Sequence, residues 1–183
     1  MFTATRIAAA VAIIALGGSL ALVNGNLGPT PGPGAAPAAK SPSPSPSTVP
    51  AVRVEGVSRI ATESMGVTDA SGPVESLRGL KLRIQDEMSD PRASGVGHVI
   101  IDAEDYGGMG PEWGTLRLEN DEGTWEGPVS GVHMGVDTRI SGWLLGEGAY
   151  AGLTYYYNLE VDNSGLTAVV EGIIYPGDPP PTE

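Results

Sequence analysis

Two histidines, three short runs of carboxylates and a set of Trp and Tyr residues carry most of the chemical potential of this 183-residue chain, and no cysteine accompanies them. A nucleophilic hydrolase needs a Ser, Thr or Cys activated by a base that a third group orients. The chain has no Gly-x-Ser-x-Gly elbow, and only His98 and His133 could serve as an imidazole base. Each lies among strand-forming residues, Gly97-His98-Val99 and Val132-His133-Met134, so each reads as a core or surface histidine rather than a catalyst. Two histidines without cysteine or close His spacing fall short of a structural zinc site. The carboxylates at Asp102, Glu104 and Asp105, at Glu119, Asp121 and Glu122, and at Glu160 and Asp162 raise calcium as a candidate. They fall at strand ends and turns, where Asp, Asn and Gly are favoured for backbone reasons, and none fits a calcium loop. A glycosidase pair could be drawn from the same set, but its separation is not encoded in spacing. No metal or cofactor is therefore expected, and no residue is assigned a catalytic role.

Beyond the first residues of the chain the aromatic inventory is Trp and Tyr alone, the single Phe being Phe2. Such side chains combine apolar area with a polar handle. Core packing is the simplest use for them. Should the fold enclose a cavity, Trp143, Tyr155 and Tyr157 are the first candidates for its ligand-binding wall.

The elements that must position these residues are strands. Gly, Asn-Asp-Glu-Gly and Asp-Asn-Ser-Gly breaks punctuate the chain after Pro50, and no long stretch has helical period. Eight strands are expected at about 52–62, 75–88, 94–104, 112–120, 123–135, 138–149, 152–161 and 166–175, with 63–74 as a long loop. Leu80, Leu82 and Ile84 alternate with Lys81, Arg83 and Gln85, the period of a half-buried antiparallel strand. Leu116 and Leu118 repeat the pattern, and Tyr155, Tyr157 and Leu159 share one side of their strand. Short connections imply a meander, and closure is the economical way to remove its edges. The expected fold is all-β, a single antiparallel eight-stranded meander barrel. Gly127-Pro128 suggests a bulge or an edge-facing kink, the glycines of 146–152 suggest sharp coiling where the barrel closes, and Asp90-Pro-Arg92 suggests a tight turn. Asp90-Pro-Arg and its echo Asp137-Thr-Arg139 could each pair their Arg with the neighbouring Asp.

The chain divides into leader, stalk and domain. Ile7 to Val23 is an uncharged, mostly aliphatic run of about 17 residues behind Arg6, near the lower limit for a membrane span. It is read as a hydrophobic helix, with segment 1–25 a cleaved signal peptide or an uncleaved N-terminal membrane anchor. Either reading exports the remainder of the chain, as a secreted or a membrane-tethered domain. Residues 26–50 form a Pro/Ser-rich linker of disordered composition, suited to an extended spacer. Residues 51–177 form the domain and 178–183 a disordered tail. All 22 acidic residues lie after Pro50, whereas Arg6 and Lys40 precede it, so the domain carries a formal charge of −14. Nucleic acid and anionic lipid surfaces are excluded as partners, and contact with a membrane is confined to the N-terminal segment.

Three segments, Asp86–Gly95, Trp113–Gly127 and Leu145–Leu153, carry a family likeness. Together they resemble a group of exported bacterial proteins of unknown function whose domains look similar to the allene oxide cyclase and dirigent type of eight-stranded barrel. The Gly-x-Gly-x-Tyr-x-Gly segment from Gly146 to Gly152 is its most specific element. The resemblance implies the barrel and places no catalytic residue on this chain. Three functions are expected in consequence. The first is non-enzymatic binding of a small apolar ligand or a cell-surface protein, the second a cyclase- or isomerase-like enzyme acting within the barrel, the third a structural envelope module with a solid interior.

Overall fold

The computed structural model describes residues 50–161 and 166–181. The leader and nearly all of the Pro/Ser linker lie outside them, as do the last two residues of the tail; residues 178–181 carry no regular structure. Among the described residues no helix is long and apolar enough to cross a membrane.

The domain is a closed antiparallel barrel. Its strands are β1 (Val52–Ser64), β2 (Val67–Asp69), β3 (Glu75–Met88), β4 (Gly95–Asp105), β5 (Met109–Glu119), β6 (Gly123–Met134), β7 (Asp137–Gly148), β8 (Leu153–Val161) and β9 (Thr167–Pro176). From β3 to β9 each strand pairs with its chain neighbour, and β1 then pairs with β9 on one side and β3 on the other. That double pairing leaves the eight long strands without an edge, as the alternation and short connections require.

The ninth strand falls inside the expected loop 63–74. Ser64 pairs with Lys81, and after a kink at Gly66 (φ 70°) Val67 pairs with Arg78, so β2 carries on along β3 where β1 leaves off. Two further expectations need correction. Gly127-Pro128 is not a bulge: the β6–β7 ladder opens between Glu126↔Leu145 and Val129↔Gly142 with no shift of register, because Pro128 has no N–H to give. The glycines of 146–152 do not serve closure, which happens at the β1–β3 seam. Gly148 and Gly152 take positive φ in the β7–β8 turn, and Gly146 leaves room for Tyr150, whose backbone oxygen lies 2.2 Å from where a Cβ would stand.

The two ends of the barrel are built differently. At one end the connection from β3 to β4 folds inward as a short 3-10 turn, Pro91–Ala93, and Ala93 is fully buried. Asp90 holds that turn by accepting from Arg92 N (3.0 Å) and from the Arg92 guanidinium at 3.0 and 2.6 Å. The echo does not repeat this, since Arg139 pairs with Glu160 across the β7–β8 ladder instead. Trp125 donates its indole N–H to Arg92 O (2.7 Å) and stacks on Tyr150 at 4.8 Å, and Tyr150 donates to Asn120 Oδ1 (2.7 Å). Asn120 in turn donates to Ser94 O at 2.8 Å. Indole, phenol, amide and turn thus plug this end.

Candidate functional site

From the plug an aromatic column runs along the barrel interior. Trp125 meets Tyr155 edge-on at 5.6 Å, and Tyr155 meets Tyr157 edge-on at 5.7 Å. Past Tyr157 the packing stops. A cavity of about 490 Å³ opens towards the other end, and its wall is mostly aliphatic: Leu80, Leu82 and Ile84 of β3, Val99 and Ile101 of β4, and Ile140 of β7 are among its residues. The reason is local. Below the cavity the inward positions carry Trp and Tyr, whereas alongside it they carry Val, Leu, Ile and Gly, which do not reach the axis of an eight-stranded barrel.

Of the three residues expected to line such a cavity, Tyr157 does so. Tyr155 lies one step deeper, fully buried in the aromatic column. Trp143 is on the outside of the barrel, packed on Tyr156 (4.5 Å) and Tyr175 (6.1 Å), because Gly142 and Leu144 on either side of it face inward. The expectation for Trp143 is corrected by strand phase: successive side chains point to opposite faces.

Two groups of ionisable residues face the interior. The deeper one is Asp86, fully buried on β3 and directly opposite Ser58 of β1. Neither Asp86 carboxyl oxygen, nor Ser58 Oγ, nor the Tyr155 and Tyr157 hydroxyls has an aligned hydrogen-bond partner in the protein. Burial pushes the Asp86 carboxyl up to about 6, with nearby Ser58 and Tyr157 pulling the other way. Burial likewise raises the Tyr157 hydroxyl, and the Asp86 charge adds to the rise. Tyr157 therefore joins the cavity floor to a buried acid.

The second group sits at the cavity mouth on three adjacent strands: Asp105 ends β4, Glu112 lies on β5 and His133 on β6. His133 Nδ1 lies 3.2 Å from Glu112 Oε1, close enough for an ion pair but without hydrogen-bond alignment, and His133 Nε2 lies 3.7 Å from Asp105 Oδ2. Glu112 and, more weakly, Asp105 hold the imidazolium charged to higher pH than usual, against its burial. At Gly110 a Cβ would stand 1.7 Å from Glu104 O and 3.3 Å from His133 Cε1, so the backbone of β4 requires the glycine first and the ring only second. Asp105 Oδ1 accepts from Gly108 N, which fastens the β4–β5 turn at the rim.

Of the remaining residues weighed for chemistry, Asp162 lies outside the described residues and the others are on the outer surface. His98 is exposed, 3.5 Å from Glu63. Asp102 accepts from Gly79 N, Glu104 pairs with Arg78, and Glu119 pairs with Arg117. Among the described residues no group of three His, Cys, Asp or Glu is arranged to hold a metal ion.

The fold and site together define a class: a closed eight-stranded antiparallel barrel, plugged at one end by aromatic residues and hollow at the other. No protein-family model and no curated protein matches the chain.

Proposed function

We propose that this domain is an exported binding module that takes a small, mostly apolar molecule into the hollow half of its barrel. The supporting observation is the aliphatic cavity of about 490 Å³ above Tyr157. At about 30 Å³ per water-sized group it has room for about sixteen heavy atoms, within the usual range for ligand pockets. A structural module would have no use for the void, which costs packing energy. Segment 1–25 directs the domain out of the cell and either releases it or tethers it, and the Pro/Ser stretch holds it clear of the membrane. The family likeness to the allene oxide cyclase and dirigent type of barrel belongs to the same reading, and a cell-surface protein remains the alternative occupant.

One observation favours a second reading, an enzyme of the cyclase or isomerase kind. Such an enzyme needs a buried group with a displaced pKa near its substrate. Asp86 is buried with a raised pKa; it is not on the cavity wall but is separated from the cavity floor by Tyr157. Native mass spectrometry of the full chain recovered from its own cells decides between the readings. Retention of an apolar ligand, lost on Ile140→Trp at the cavity wall, supports binding. Recovery of a chemically altered molecule after incubation with that ligand supports the enzyme, and an empty barrel in every preparation removes both. N-terminal sequencing of the same material separates signal from anchor, since a start near residue 26 requires cleavage.

A further inference from the structure

We propose that the ligand is an amphiphile with a basic amine at one end, its hydrocarbon part in the barrel and its ammonium group held at the mouth by Glu112 and Asp105. This rests on the cavity being a ligand site and adds the chemistry of the ligand's polar end.

The first argument is placement. Glu112 faces the barrel interior, in phase with Leu116 and Leu118, although a charged side chain on that face loses its water. Asp105 likewise points inward, with only about 6% of its surface exposed. Two desolvated carboxylates lining one apolar cavity are retained at a cost unless something positive meets them.

His133 meets them only in part. Protonated, it leaves the three-residue cluster with one net negative charge; neutral, it leaves two. Its side chain is about nine-tenths buried and lines the cavity, yet Nδ1 has no aligned hydrogen-bond partner. What a ligand group would meet is the negative charge of Glu112 and Asp105 that His133 leaves uncompensated. An alkylammonium brings three N–H donors and one positive charge, which suits two carboxylates that offer acceptors only. A carboxylate or phosphate head would face the same acids and a domain of charge −14. A hydroxyl head would leave the charge uncompensated.

His133 also makes the site pH-dependent. The titratable groups facing the imidazole are Asp105 from β4 and Glu112 from β5, while Thr138, opposite on β7, does not titrate. Imidazolium and ammonium compete for the same oxygens, so amine affinity rises as the pH climbs past the point where His133 loses its proton. The carboxylates hold that point above the ordinary histidine value.

The test is calorimetric titration of the full chain with octylamine, octan-1-ol and octanoate, three heads on one tail, in about 0.15 M salt, where the Debye length is about 8 Å. Octylamine is expected to bind at least about tenfold tighter than octanol, with octanoate weakest. The amine-to-alcohol ratio should grow as the pH is raised and His133 gives up its proton, and Glu112→Gln should bring it close to one. If octanol binds and octylamine is no better, or octanoate is best, the amine inference is wrong while the apolar-ligand reading stands. An amine preference that survives Glu112→Gln and is flat with pH assigns it to the bulk charge of the domain and also overturns the inference. If none of the three binds, both fall. The pH series on the unaltered chain keeps the test decisive should Glu112→Gln not fold.

Discussion

Asp86 stands directly opposite Ser58 at the seam where β1 closes onto β3, and both side chains are sealed from solvent. The seam that makes the barrel a barrel thus carries a carboxyl with no aligned partner. Its folded-state value is raised from 3.8 to about 6, so in that window the folded chain keeps a proton that the unfolded chain has lost. Stability contributed by the neutral acid is complete below the unfolded value and is lost as the pH rises to about 6. A rise of that size corresponds to about 3 kcal/mol. Asp86→Asn removes the titration. Relative to the parent it should therefore gain about 3 kcal/mol in urea unfolding between about pH 3.5 and about pH 7. A difference that stays constant across that range would show that Asp86 ionises as freely when folded as when unfolded.

Asn120 ties the plug together through both ends of its amide. Nδ2 donates to Ser94 O at 2.8 Å, while Oδ1 accepts from the Tyr150 hydroxyl and from the Glu122 and Gly123 amides. Asn120→Asp keeps the acceptor but turns a carboxylate oxygen towards backbone carbonyls, leaving them unpaired. A loss of about 2–4 kcal/mol is expected in urea unfolding at neutral pH, with partial recovery where the new acid is protonated. Since the plug and the cavity occupy opposite ends, ligand affinity of the folded fraction should not change. A stability change under about 1 kcal/mol, the usual value of one net hydrogen bond, would mean that the amide network holds nothing.

The kink between β1 and β2 depends on Gly66. Its φ is 70°, and a Cβ would stand 2.4 Å from Arg78 O and 2.8 Å from Leu80 N. Gly66→Ala adds a collision with rigid backbone to a conformation that side chains already resist. Gly107 in the β4–β5 turn also has positive φ, at 90°, but a Cβ there meets nothing within 4 Å. Gly66→Ala should therefore cost about 2 kcal/mol more than Gly107→Ala, and amide exchange over 67–69 should accelerate only in the former. Equal costs would mean that β2 bends freely.

Most of this fold is legible in alternation, because a half-buried strand writes its environment into every second residue. The expected strands agree with those observed to within three residues at each end. The same alternation holds a signal for the interior acids that composition hides. Leu80, Leu82 and Ile84 run on in phase to Asp86, and Leu118 and Leu116 run back through Gly114 to Glu112 and Gly110. Weighing Asp and Glu as turn residues obscures them, and weighing Trp143 by size rather than phase turns it the wrong way. What no local pattern holds is which end of the barrel is shut. That depends on the indole of Trp125 finding the carbonyl of Arg92, 33 residues earlier in the chain, a contact made only once the barrel exists.

Tyr157 and Trp143 make the sharpest paired test of how the barrel is divided between inside and outside. Gly142, next to Trp143, is the cross-strand partner of Tyr157, so the two aromatics sit one residue apart in register yet on opposite faces of the sheet. Tyr157→Ala removes a fully enclosed ring and should cost about 3–5 kcal/mol. It also merges the cavity with the space around Asp86, so the Asp86 carboxyl should titrate closer to its ordinary value, as tracked by its side-chain carbon resonance against pH. Trp143→Ala removes a partly exposed ring held by two outer tyrosines, a loss of about 1 kcal/mol, and should leave both the Asp86 titration and octanol affinity where they were. Loss of octanol binding on Trp143→Ala, with the barrel still folded, would put the ligand on the outer wall and not inside.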